Sequence, residues 1–326
     1  LAGMAVFRDR VDELKLRGAK GHVVVAGLGA KGEHLAHQFL DAGARVVAIE
    51  PAPDHPAVAP LRDRGAVVVA GEANDPRVLQ TVRAGRAGVV VGACGRDEAN
   101  VAMAVQVEEL ARHSGRDPAD PLRCFAHVVD PELALLLERQ HAFRPGAHCE
   151  VRLFDAYVMA ARRFLLRHPL EAGLAGPADS RRVHLVVVGF GGMGRALALH
   201  AIRTAHYANL QPLRLTIVDR DGAAIRQRLL WDFPLVERTC ALEVIADAIK
   251  DPAVLGQIAQ AANSTAELCT VAVCLDDDGR ALAAALRIRS ALAQGTALRL
   301  AVRLTAEGEL GRLLARGSAG QKVRST

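Results

Sequence analysis

Short apolar runs alternate with longer stretches of helical periodicity along the whole chain. Val- and Ala-rich runs at 22–27, 44–49, 66–70, 88–92, 122–128 and 148–153 are too short for helices and apolar on both faces, so they read as strands buried on both sides. Between them, Gly29–Leu40, GEANDPRVLQTVRAG, ACGRDEANVAMAVQVEELARH and Pro131–His141 read as helices with their leading turns, and PAPDHPAV as a Pro-rich turn. The second half repeats the programme. Strands are expected at 183–188, 213–218, 241–245, 268–274 and 298–304, with helices at 192–206 and 223–230 and within ADAIKDPAVLGQIAQAA and DDDGRALAAALRIRSAL. Strands alternating with helices predict βαβ units and a parallel sheet in each half, an α/β fold built twice.

One element breaks the alternation. FDAYVMAARRFLLRH, from Phe154 to His168, reads as a helix with Phe154, Tyr157, Val158, Ala161, Phe164 and Leu165 on one broad apolar side. The softer PLEAGLAGPADSRR follows it. The expected division is a charged linker helix over 1–20, a first domain over 21–153, a connecting helix and linker over 154–182, a second domain over 183–316 and a polar tail over 317–326.

The glycines give this pattern a chemical meaning. HVVVAGLGAKG places Gly27, Gly29 and Gly32 as G-x-G-x-x-G between a strand and a helix, and HLVVVGFGGMG repeats the spacing with Gly189, Gly191 and Gly194. Each copy has an acidic residue at the end of its second strand, Glu50 in one and Asp219 in the other. That context makes a dinucleotide fingerprint: the first glycine permits the tight turn, the second lets a pyrophosphate approach, and the third lets the helix approach the sheet. The fold class is therefore two Rossmann-like three-layer domains with parallel sheets, linked by an amphipathic crossover helix. In the first copy, Gly27, Leu28, Gly29, Ala30, Lys31 and Gly32 form the cradle, with phosphates on helix N-terminal amides. Lys31 either adds charge beside the phosphates or faces solvent. Glu50 is placed to accept from an adenosine ribose, and its charge disfavours a 2′-phosphate, so NAD(H) is expected over NADP(H), with ATP, ADP or AMP as alternatives. The turns Gly71, Glu72, Ala73, Asn74 and Ala93, Cys94, Gly95 leave the carboxyl edge of the sheet and complete the crevice. Asp97, Glu98 and Asn100 read equally well as first-turn helix residues. In the second copy Asp219 lies 25 residues past Gly194, against 18 between Gly32 and Glu50, and Asp247 follows Ala246 where the turn has lost its glycine. Asp276, Asp277 and Asp278 are three adjacent carboxylates of the kind that attract a hard cation, but a solvated helix start is the commoner explanation, and no metal site is expected.

Composition narrows the classes. Of 326 residues, 51% are hydrophobic and 24% charged, which suits a packed α/β protein and excludes disorder. The net charge of +5 comes from Arg scattered among acids, with no basic run, so no nucleic-acid partner is expected. The six cysteines contain no CxxC pair and read as buried thiols. No apolar run approaches the length of a membrane span. The chain starts at Leu1 with a charged stretch, which reads as an excised fragment of a longer protein. An NAD-dependent oxidoreductase needs an acid/base near the nicotinamide, yet Tyr157 and Tyr207 have no Lys four residues on, and His127 and His184 fall in strands as structural residues. A ligand-free oligomerisation domain is the other alternative.

The stretch 21–142, through HVVVAGLGAKGEHLAHQFLDAGARVVAIE, GEANDPRVLQTVRAGRAGVVVGACGRDEANV and LRCFAHVVDPELALLLERQ, resembles the regulator of potassium conductance family, also called TrkA-N or KTN domains. Residues 183–314 resemble a divergent second copy. The resemblance implies a non-catalytic sensor that binds nucleotide at Gly27, Gly29, Gly32, Glu50 and the Glu72–Asn74 turn. It implies a homodimer or higher ring, with the Phe154–His168 helix packing across such dimers. It also implies coupling to a membrane-spanning pore or transporter, in cis or in trans, at the cytoplasmic inner face of the cell membrane. Glu72 stands where the family usually has Asp.

Overall fold

Side-chain alternation along each strand decides the layering. In the computed structural model, which describes residues 16, 18–117, 119–140, 143, 148–292, 299–304 and 323–325, the chain divides into two compact units between Ala156 and Tyr157. In the first, β1 (Val23–Ala26), β2 (Val46–Glu50), β3 (Val67–Ala70), β4 (Val89–Gly92), β5 (Leu122–His127) and β6 (Cys149–Phe154) form one sheet in the order β3-β2-β1-β4-β5-β6. Every pairing is parallel, with Val23 opposite Val46 and Val89. Val24, Ala26, Val47 and Ile49 face a core shared with Leu79, Met103 and Val107, whereas Val23, Val25, Val46 and Ala48 face one shared with Ala36, Val58 and Leu61. The helices carrying those residues, α1 (Ala30–Asp41) and α2 (Val58–Asp63) on one side and α3 (Pro76–Thr81) and α4 (Asp97–Arg112) on the other, complete three layers. The α5 helix (Pro131–Glu138) follows β5.

The second unit has the same plan. The α6 helix (Ala156–Arg167) leads into β7 (Arg182–Val188), α7 (Gly192–Thr204), β8 (Leu213–Asp219), α8 (Gly222–Asp232), α9 (Val236–Thr239), β9 (Cys240–Ala246), α10 (Pro252–Asn263), β10 (Glu267–Val273), α11 (Asp278–Ala291), β11 (Arg299–Val302) and β12 (Val323–Ser325). Its sheet runs β9-β8-β7-β10-β11-β12, again all parallel, so both domains reverse strand order between their first and fourth strands. Ala161 and Phe164 of α6 join the core under β7 with Leu197 and Leu229, so this helix packs into the second unit.

Several helix starts follow from sequence chemistry. At Asp75-Pro76, Asp130-Pro131 and Asp251-Pro252 the Asp carboxylate accepts from the amides of Arg77 (2.8 Å), Glu132 (2.9 Å) and Ala253 (2.7 Å), while the Pro fills the first helical position without losing a bond.

The differences from expectation are local. A short helix, α2, stands where PAPDHPAV and LRDRG read as turn and connection, and α9 adds one helical turn before β9. Phe154 ends a strand rather than starting a helix. The stretch read as a polar tail supplies β12, three residues paired with β11. The linker helix read over 1–20 falls largely outside the described residues. No helix among the described residues is long and apolar enough to cross a membrane.

Candidate functional site

The strand-order reversal between β1 and β4 leaves a crevice at the carboxyl edge of the first sheet, the place where parallel α/β folds put ligands. The glycine loop enters it from β1. Gly27 has φ +86°, a left-handed conformation that side chains resist, and its amide donates to Ile49 at 2.8 Å. A Cβ on Gly27 would lie 2.9 Å from the backbone of Cys94, so the turn and the β4 exit touch directly. Gly32 is tighter still, since its Cβ would fall 1.8 Å from the Gly27 carbonyl oxygen. Gly29 is different. It caps α1 with φ −56°, and a Cβ there meets none of the described atoms within 4 Å. Its smallness serves neither backbone geometry nor packing, which leaves room for something approaching from outside. Gly29 and Ala30 are exposed, beside the N-terminal amides of α1.

Glu50 ties the loop to the second strand. Its buried carboxylate accepts from the Leu28 amide at 2.8 Å and from the Ala52 amide at 3.2 Å. Leu28 thus contributes its amide to the site, while its side chain is fully buried. The second domain repeats this arrangement: Asp219 accepts from Phe190 at 2.7 Å and from Asp221 at 3.1 Å, the same two relative positions. Gly189 has φ +88°, and a Cβ on Gly194 would fall 2.0 Å from the Gly189 carbonyl oxygen. The duplication therefore reaches the hydrogen bonds of the loop.

The later turns converge on the first crevice. The Gly71 amide donates to the Glu50 carbonyl, Glu72 and Asn74 are exposed, and Ala73 turns into the core. Asn74 is held through its carbonyl, which accepts from Gln106 at 2.8 Å. Ala93 donates to Ala26 at 2.8 Å and buries its methyl group, and Gly95 is exposed with no described atom within 4 Å of its Cβ position. Burial, with the charge of Glu50 next, pushes the Cys94 thiol up to about 11, so it stays protonated at neutral pH. The residue that sequence reading undervalued is Asn100. Fully buried, it accepts from Cys94 N at 2.9 Å and donates to Cys94 O at 3.1 Å and His127 O at 2.9 Å. It binds the β4 exit to the end of β5. Asp97 performs a neighbouring task, its carboxylate accepting from the Val129 and Asp130 amides at 2.9 Å each.

Lys31 bears on this wall, since its charge acts on His127. Burial first, and Lys31 second, push His127 down to about 4, against the opposing pull of Asp97. A folded-state pKa below the ordinary 6.5 means that acid protonates the unfolded chain first. Stability of the first domain is therefore intact above about pH 6.5 and falls as pH drops toward about 4, by on the order of 2–3 kcal/mol from this group. Denaturation midpoints across that window check it, and His127→Gln should flatten the loss.

In the second domain a cleft of about 1230 Å³ opens beside Gly189, Gly191, Asp219 and Asp247, with Arg220 and Trp231 on its wall. Asp247 is exposed and accepts from the Ala248 amide at 2.6 Å. Two of the three acidic residues have local tasks: Asp277 caps α11 through the Arg280 amide at 2.7 Å, and Asp276 pairs with Arg303 at 2.7 Å. His184 is held by Glu267 at 2.7 Å and Thr216 at 2.9 Å within the sheet, away from the strand ends that carry the loop.

Comparison with known proteins agrees with this geometry. The TrkA-N domain family matches residues 23–144. No curated protein sequence matches the chain. Among solved structures, the GsuK structure bound to ADP superposes with a TM-score of 0.63 at 19% identity, covering 94% of this chain and 66% of that one. The GsuK channel bound to NAD gives 0.62 at 15%, covering 95% and 62%. The human SLO3 gating ring gives 0.54 at 12%, covering 93% and 79%. At these identities the likeness is one of fold, and the chain spans just under two thirds of the GsuK chains. Residues 23–144 match the TrkA-N domain family, and the second half of the chain carries a second α/β domain of the same strand order.

Proposed function

We propose that the chain is a non-catalytic nucleotide-binding module that regulates potassium or other cation transport through ligand-dependent domain motion. The observation that carries this reading is the Gly27–Gly32 loop locked to the Glu50 carboxylate, within a TrkA-N domain, with open space over Gly29. These residues fit a dinucleotide. The α1 amides at Ala30 and Lys31 face the place of the phosphates, Glu50 keeps lone pairs for a ribose hydroxyl, and the Gly71–Asn74 and Ala93–Gly95 turns wall the crevice. NAD(H) is the proposed ligand, with ATP, ADP or AMP sharing its adenosine half. The GsuK structures bound to ADP and to NAD support that choice, and the SLO3 gating ring supports assembly into a homodimer or ring. The partner is then a membrane-spanning pore or transporter, in cis or in trans, at the cytoplasmic face of the membrane. The units proposed for this work are a nucleotide-binding domain over 21–153 and a divergent one over 183–316, joined through 154–182.

Calorimetric titration with NAD⁺, NADH, ADP and ATP tests the binding step. Glu50→Ala removes the ribose acceptor and frees two loop amides, and is expected to weaken binding about 10- to 100-fold. Failure of all four ligands to bind the intact chain at millimolar concentration would sink the proposal.

A further inference from the structure

The two glycine loops match in backbone hydrogen bonds but differ in what stands in front of them. The backbone fixes the correspondence: Ala93 N donates to Ala26 O at 2.8 Å, and Cys274 N donates to Val188 O at 2.8 Å, so Gly95 and Asp276 occupy equivalent places two residues on. Gly29 and Gly95 have no described atom within 4 Å of their Cβ positions. In the second domain the position of a Cβ on Gly191 lies 3.3 Å from Asp276 Oδ2, and that of a Cβ on Gly192 lies 2.6 Å from the Tyr157 ring. Arg303 joins the two. Its Nη1 donates to Asp276 Oδ1 at 2.7 Å and to the Leu275 carbonyl at 3.3 Å, and its guanidinium lies 5.7 Å from the Tyr157 ring centroid. All of these residues belong to the second unit.

A pyrophosphate reaches a glycine loop over the face that lacks a Cβ. At Gly191 that face meets a carboxylate, and at the first turn of α7 it meets an aromatic ring. Phosphate approaching Asp276 is repelled, and Arg303, the guanidinium bonded to that carboxylate, is already paired. We propose that Tyr157, Arg303 and Asp276 form a built-in clasp that excludes nucleotide phosphates from the second glycine loop, so the two fingerprints of one chain bind nucleotide unequally. Tyr157 and Asp276 are its specificity-determining residues. The repeated geometry around Asp219 then serves the fold of the second domain, and the phosphate-binding capacity of the loop is held off by side chains.

Trp231 makes this testable, because it is the chain's single tryptophan and lines the second cleft. ADP is titrated into the full chain while Trp231 emission and calorimetric stoichiometry are followed. In the unaltered chain, emission is expected to stay constant up to millimolar ADP, whether or not the first domain binds. The double variant Tyr157→Ala/Asp276→Gly is expected to gain a saturable Trp231 response and one further ADP per chain, both lost when Asp219→Ala is added. The Asp276 side chain is 75% exposed, so Asp276→Gly alone leaves the fold intact. This single variant gives the same response roughly tenfold more weakly than the double one and keeps the test decisive if Tyr157→Ala fails to fold. A saturable Trp231 response of the unaltered chain that Asp219→Ala abolishes would overturn the clasp, as would a folded Asp276→Gly variant whose emission ADP leaves unchanged. Failure of the first-domain reading shows separately, as loss of the first calorimetric event.

Discussion

Gly32→Ala is expected to destabilise the first domain by about 3 kcal/mol, shifting its thermal midpoint by roughly 10 °C. The added methyl carbon would sit 1.8 Å from the Gly27 carbonyl oxygen, a backbone atom with no rotamer to relieve the clash. Relief requires α1 to move off β1, and that movement breaks the Leu28–Glu50 contact and the close approach of Gly27 to Cys94. Gly194→Ala, with its Cβ 2.0 Å from the Gly189 oxygen, is expected to do the same to the second domain. Gly256→Ala is the control. It lies inside α10 with no described atom within 4 Å of its Cβ position, so alanine should raise stability by about 0.5–1 kcal/mol through helix propensity. Denaturant titration followed by circular dichroism reads all three.

Asn100→Leu is expected to cost a similar amount, about 3 kcal/mol, for a different reason. Leucine fills the volume but leaves the Cys94 amide, the Cys94 carbonyl and the His127 carbonyl without their side-chain partner in a buried place. The turn at Ala93–Gly95 then loses its tether to β5, so nucleotide affinity should fall along with stability. The corresponding residue on α11 is Ala281, fully buried in the core of its own sheet, so the second domain holds its β10 exit without such a bond. Ala281→Asn should therefore destabilise the second domain rather than stiffen it, and unfolding curves of the two variants separate the cases.

The architecture was legible because its determinants are local. Runs such as Val23–Ala26 and Val89–Gly92 are apolar on both faces and too short for helices, and the Asp-Pro dipeptides mark helix starts. The positions of Glu50 and Asp219 at strand ends follow from counting. Their bonds to the Leu28 and Phe190 amides do not, because those depend on how two strand ends lie side by side. Asn100 left a signal that was read too weakly: a polar residue on the face of α4 that also carries Met103, Ala104 and Val107 must be satisfied where it is buried. The clasp left none. Tyr157, Gly192, Asp276 and Arg303 are far apart in sequence and meet only through the fold. The β12 strand escaped notice because three residues in a polar stretch carry too little periodicity.

The central claim, that the first loop is a nucleotide cradle, rests most directly on Gly29. Its φ of −56° suits any residue and its Cβ direction is open, so Gly29→Ala should leave the unfolding midpoint unchanged. The decisive measurement is calorimetric titration of NADH and ADP into the unaltered chain and into Gly29→Ala, with thermal unfolding of both alongside. The account predicts saturable binding by the unaltered chain and at least about a hundredfold weakening by Gly29→Ala at equal stability. Equal affinities for the two proteins, or no binding by the unaltered chain at millimolar ligand, would contradict it.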